Sequence, residues 1–80
     1  MNNGYKKARK ANDVKYASQA MEMSGVIRAY GDDGNLHIHC ENQNVADQVF
    51  ERFGNVQPSD GVQEGGVCVW VGDKMVHETF

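Results

Sequence analysis

The chain reads as a small two-layer α+β sandwich, with elements in the order α-β-β-α-β-(β) and a mostly antiparallel sheet of three or four strands. Three observations predict this class. VIRAY and LHIHC flank the turn sequence GDDGN, which is a hairpin signature. VCVWV, between glycines at 66 and 72, is a further β-branched and aromatic run. Two stretches, 5–23 and 43–53, carry apolar residues at helical spacing. A helix with one apolar stripe and a sheet with one apolar face bury both most simply as stacked layers.

Taken in order, the first element is a helix over 5–23, rich in alanine and lysine. Val14, Ala17 and Met21 form one apolar line, and Tyr16, Ala20 and Met23 form a second beside it. Asn12-Asp13 is a competing start. Residues 1–12 are then a basic N-terminal arm or the helix start, and 13–80 are a single α+β domain. Ser24-Gly25 ends the helix, with Gly25 suited to a left-handed cap. The hairpin spans 26–41. In its second strand Leu36, Ile38 and Cys40 point to one face and His37 and His39 to the other, because strand side chains alternate. Asn42 and Asn44 are candidate N-caps. Val45, Ala46, Val49, Phe50 and Phe53 then make an apolar stripe, with Asp47, Gln48, Glu51 and Arg52 on the wet side. Phe50 is expected in the core. Gly54 closes this helix, and 55–65, with the only proline, reads as a surface loop. VCVWV should be the central strand, paired with the hairpin. Gly72-Asp73 is a turn, from which KMVHETF returns as an edge strand.

Composition narrows the function. Eighty residues allow one domain at most. Two cysteines exclude a disulfide-rich secreted scaffold. No apolar run approaches the roughly 18 residues of a membrane span, so no membrane partner is expected. The opening segment is basic but has no apolar stretch, so a signal peptide is not expected and the location is read as cytoplasmic. Charge is unevenly placed. Lys6, Lys7, Arg9, Lys10 and Lys15 against Asp13 give the first fifteen residues +4. Three basic and ten acidic residues give the remainder −7, for a total of −3.

His37, His39 and Cys40 invite a zinc reading, which His77 or Cys68 would complete. Strand alternation places Cys40 on the face away from the histidines, and neither CxxC nor HExxH is present. No metal and no cofactor are therefore expected. Cys40 and Cys68 are read as reduced, buried thiols. The carboxylates lie in turns and on helix surfaces without a partnered nucleophile and base, and Ser18, Ser24 and Ser59 lie in no GxSxG. GDDGN joins two strands and does not open a helix, as a phosphate loop would. The expectation is no enzyme.

VCVWV is apolar on both faces: Val67, Val69 and Val71 on one, Cys68 and Trp70 on the other. Either one helix covers each face, or both helices share one face and the other stays open for a partner or a second copy. If Cys68 packs in the core with Cys40, Trp70 is buried with it. The candidate partner surface is Tyr30, His37, His39 and Trp70, rimmed by Asp32 and Asp33 at the hairpin tip. Trp and Tyr supply much of the energy of interfaces, and rim charges steer approach. The function expected is a small non-enzymatic protein-binding domain, an inhibitor or adaptor on a larger macromolecular complex such as one that processes nucleic acid. Compact acidic domains of this length recur among phage and mobile-element proteins that block host defence complexes, of the anti-CRISPR or anti-restriction type. The alternative is a nucleic-acid-binding module, in which Lys6, Lys7, Arg9, Lys10 and Lys15 contact phosphates and Tyr5, Tyr16 or Trp70 stacks on bases. Monomer and homodimer both remain open.

Overall fold

The computed structural model describes residues 15–32, 35–55 and 66–79. Helix α1 (15–21) is followed by β1 (Val26–Asp32), β2 (Asn35–Cys40), α2 (Gln43–Phe53), β3 (Val67–Val71) and β4 (Lys74–Thr79). The arm 1–12, the tip residue Asp33 and most of the 55–65 loop lie outside the described residues. The α+β class and the element order are those expected from the sequence.

The four strands lie side by side in the order β1-β2-β3-β4. β1/β2 and β3/β4 are antiparallel, as short connections dictate, while β2 and β3 run parallel. A parallel neighbour needs a long crossover, and α2 lies within that connection. Two hydrogen bonds fix where β3 starts. Gly66 N–H donates to Asn35 Oδ1 at 3.0 Å, and Leu36 N–H donates to the Gly66 carbonyl at 2.8 Å. VCVWV therefore lies inside the sheet, beside the hairpin. Gly72, at φ +61°, opens the tight β3–β4 turn, a position where glycine has no steric penalty.

Both helices lie on one face. In-register pairs Leu36–Val67 and Ile38–Val69 form the floor of the core. Ala17 and Ala20 from α1 and Ala46, Val49 and Phe53 from α2 close over it. The alanines let the helix backbones approach the sheet, and Phe53, 1% exposed, is the largest side chain enclosed between the layers. Asn42 caps α2, its Oδ1 accepting from Val45 N–H at 3.0 Å.

Details of the helix stripes differ from expectation. Met21 is 47% exposed, and the inward residues are Tyr16, Ala17 and Ala20 of α1 with Met23 just past its end. At 3.6 residues per turn, Ala20 falls between Tyr16 and Ala17 around the helix axis, whereas Met21 falls beyond Ala17 on the outer side of that arc. Phe50 lies half-buried at the rim of α2, and Phe53 takes the central place. Gly54 ends α2 in right-handed geometry, at φ −61°, with its N–H on the Phe50 carbonyl at 2.8 Å.

Candidate functional site

With both helices on the core face, no described element covers the other face of the sheet. The parallel register decides what stands there. His37 pairs with Cys68 and His39 with Trp70, so these four share the face opposite Leu36, Ile38 and Cys40. From β1, Arg28 and Tyr30 pair with His39 and His37. From β4, Met75 and Glu78 pair with Trp70 and Cys68. A bulge between Val69 and Trp70 sets the phase of β4, and one between Val26 and Arg28 sets that of β1.

The rings form a row across three strands. Tyr30 stacks on His37 at 5.2 Å between centroids, with planes 10° apart, and on His39 at 5.5 Å. Trp70 stacks on His39 at 5.5 Å, with planes 9° apart, and on His37 at 6.2 Å. The two imidazoles are thus sandwiched between a phenol and an indole. The Arg28 guanidinium lies 5.2 Å from the Tyr30 ring centre. Strands stand about 4.8 Å apart, so near-parallel rings at these spacings rise side by side from the sheet and turn their edges outward.

Two hydrogen bonds lock the row. Trp70 Nε1–H donates to His37 Nδ1 at 3.2 Å, and the Tyr30 hydroxyl meets His39 Nε2 at 3.0 Å. Burial holds the pKa of His37 below its ordinary value, with Asp32 acting in the opposite sense. Burial also lowers that of His39, reinforced by Arg28 and then by His37. At neutral pH the centre of the face is therefore uncharged, amphipathic and aromatic, with Arg28, Asp32 and Glu78 around it. Cys68 lies among these larger side chains and is 2% exposed.

This placement settles the geometry of the sequence candidates. Tyr30, His37, His39 and Trp70 come together on one face, and Asp32 is exposed at the end of β1. Asp33 lies outside the described residues, as do Lys6, Lys7, Arg9 and Lys10. Lys15 belongs to α1, on the other side of the sheet from Trp70. Tyr16 packs against the core. Trp70 is half-buried on the open face, and Cys68 does not join Cys40 in the core. The two cysteines are free and project from opposite faces, which forbids a bond between them. Burial pushes both thiols up from their ordinary pKa, with Glu78 adding to the effect at Cys68, so neither supplies a thiolate at neutral pH.

Strand alternation had already set Cys68 on the same face as Trp70, whereas Arg28, Met75 and Glu78 were not singled out from the sequence. Their place on the face depends on register and on the two bulges, which no single segment encodes. A second cluster also escaped notice. His77 Nε2 lies 2.8 Å from Asp47 Oδ1, and its ring stacks on Phe50 at 4.4 Å with planes 6° apart. Hydrogen bonds from His77 and Gln43 hold the Asp47 carboxyl below the usual carboxylate range. The nearby Thr79 hydroxyl accepts from Val67 N–H. The cluster clamps α2 to β4. Among the described residues no three His, Cys, Asp or Glu side chains converge to hold a metal ion. Among them, too, no helix is long and apolar enough to cross a membrane.

No family model, no curated protein and no solved structure matches this chain.

Proposed function

We propose that this chain is a non-enzymatic binding module that docks on a protein partner through its open sheet face. One observation carries the reading: the locked row Tyr30, His37, His39 and Trp70 stands on a face that no described element covers. Tyrosine and tryptophan bury large area at low entropic cost and keep a polar edge for hydrogen bonds. The row is held in place before any partner arrives, which lowers the cost of association. Tyr30 and the two imidazoles have their ring faces occupied by one another, by Trp70 and by Arg28, so along most of the row a nucleobase finds edges where it needs a flat surface. That favours a protein over a single-stranded nucleic acid. Charge supports the same choice, since the body that carries the row is acidic.

In this reading the module acts as an inhibitor or adaptor seated on a larger assembly, with Asp32 and Asp33 steering the approach to a basic surface. A small domain directed at a nucleic-acid-processing complex, as phages and mobile elements direct at host defence systems, fits that charge pattern.

The test is capture from a lysate of the source cell by wild type, by His37→Ala with His39→Ala, and by Asp32→Lys with Asp33→Lys. Mass spectrometry should find one partner with wild type that both variants lose, and the aspartate variant should unfold at the wild-type urea midpoint. Capture that survives both changes removes the open face as the working surface. A micromolar mobility shift on nucleic acid, steeply weakened by salt and lost on neutralising Lys6, Lys7, Arg9 and Lys10, replaces this reading with a nucleic-acid module.

A further inference from the structure

We propose that His37 is a proton switch built into the open face: uncharged it anchors the Trp70 indole in the ring row, and protonated it releases it. Indole Nε1–H can only donate. Its partner at 3.2 Å, His37 Nδ1, must therefore carry a lone pair. His37 is then the neutral tautomer with its proton on Nε2. A proton added at Nδ1 turns the contact into one N–H facing another, and the bond is lost.

His39 behaves differently. Its partner is the Tyr30 hydroxyl, which can donate or accept, so that contact survives protonation of the imidazole. The two histidines sit in the same row on the same strand, yet only one of them has a bond that a proton breaks.

The groups facing His37 set where it titrates. From β1, Asp32 attracts a proton and Tyr30 stacks on the ring. On β2 itself, His39 competes for the same positive charge, and Arg28 of β1, its register partner, disfavours charge on that competitor. From β3, Cys68 is its uncharged register partner and Trp70 its bond. From β4, Glu78 lies beyond Cys68. Desolvation within the row outweighs the Asp32 carboxylate, so the neutral form extends below the ordinary imidazole range. Acidification then adds charge to the centre of an uncharged face and frees its largest side chain. The consequence for docking rests on the reading of this face as a binding surface; the switch itself does not.

Trp70 is the only tryptophan, so its indole N–H gives one unambiguous signal. The experiment is an NMR titration of the free ¹⁵N-labelled chain from about pH 8 to about pH 5. At the alkaline end the His37 ring nitrogens should show the Nε2–H tautomer. The Trp70 indole resonance should then move with a midpoint below the ordinary value of 6.5. His37→Asn sets an amide oxygen near the Nδ1 position, keeps the acceptor and cannot titrate, so the indole transition should vanish. His39→Gln should keep it. A proton on His37 Nδ1, a midpoint at or above the ordinary value, or a transition that survives His37→Asn overturns the proposal. If His37→Asn does not fold, the tautomer and midpoint of wild type decide alone. Because the titration needs no partner, a failure of capture at neutral pH counts against the docking reading and leaves the switch to be judged on its own signals.

Discussion

Gly25 satisfies two constraints at one position. Its φ of +91° lies where L side chains are strained, and a Cβ there would stand 2.5 Å from Val45 Cγ2. Its carbonyl accepts from Glu41 N–H at 3.0 Å, which ties the exit of α1 to the entry of α2. Gly25→Ala should therefore destabilise the chain by about 1–3 kcal/mol, the usual range for a forced backbone conformation, read as a lower urea midpoint. Gly72 shares the positive φ but has open space around it. Gly72→Asn should cost well under about 1 kcal/mol, because asparagine tolerates left-handed geometry. Equal losses at the two sites would show that the Val45 contact has no weight.

Within α2, the apolar stripe has a centre and a margin. Phe53 is at the centre, fully enclosed by sheet and helix, while Phe50 lies at the margin against His77. Phe53→Ala should cost about 3–5 kcal/mol, which leaves a domain of this size largely unfolded. Phe50→Ala should cost clearly less, because part of that ring is already in water. Asn42→Ala removes the cap on Val45 N–H and should cost about 0.5–2 kcal/mol. Thermal or urea unfolding of the three variants gives the order Phe53, then Phe50 and Asn42. A Phe50 variant that falls furthest would move the core toward β4.

For the molecule as a whole, pH ties the open face to stability. His37 and His39 both have pKa values held below the ordinary imidazole value. The unfolded chain therefore binds protons more readily than the folded one as pH falls through that range. Stability contributed by the two neutral imidazoles is complete above about pH 6.5 and is lost as pH falls through their depressed values. The urea midpoint should be level from about pH 8 to about pH 7 and drop on further acidification, ahead of the range in which carboxylates titrate. His37→Asn with His39→Gln should flatten the upper part of that drop. A wild-type midpoint that rises on acidification would contradict the sign. Asp47 adds a separate loss at lower pH, as protonation weakens its bonds from His77 and Gln43.

How much of this is legible in the residues depends on the range of the interaction. The hairpin, α2 and the VCVWV strand are local features, and alternation or helical spacing specifies each within its own segment. The same alternation separates His37 and His39 from Cys40 before any neighbour is known. Phe50 and Phe53 look alike at that level, since both lie on the stripe, and only the position of β4 tells margin from centre. Trp70 is the clearest case. Local alternation allows it to be core or surface, and the choice follows from which face of β3 meets α2. That choice was made by the parallel pairing of β2 with β3, which puts Val67 and Val69 beside Leu36 and Ile38 and leaves Cys68 and Trp70 with the histidines. A one-residue slip would exchange the two faces. The chain alone thus determined its elements and their faces, because those depend on neighbours a few residues away. Register, the sharing of one face by both helices, and the ring row that results were decided only when segments far apart in sequence packed together.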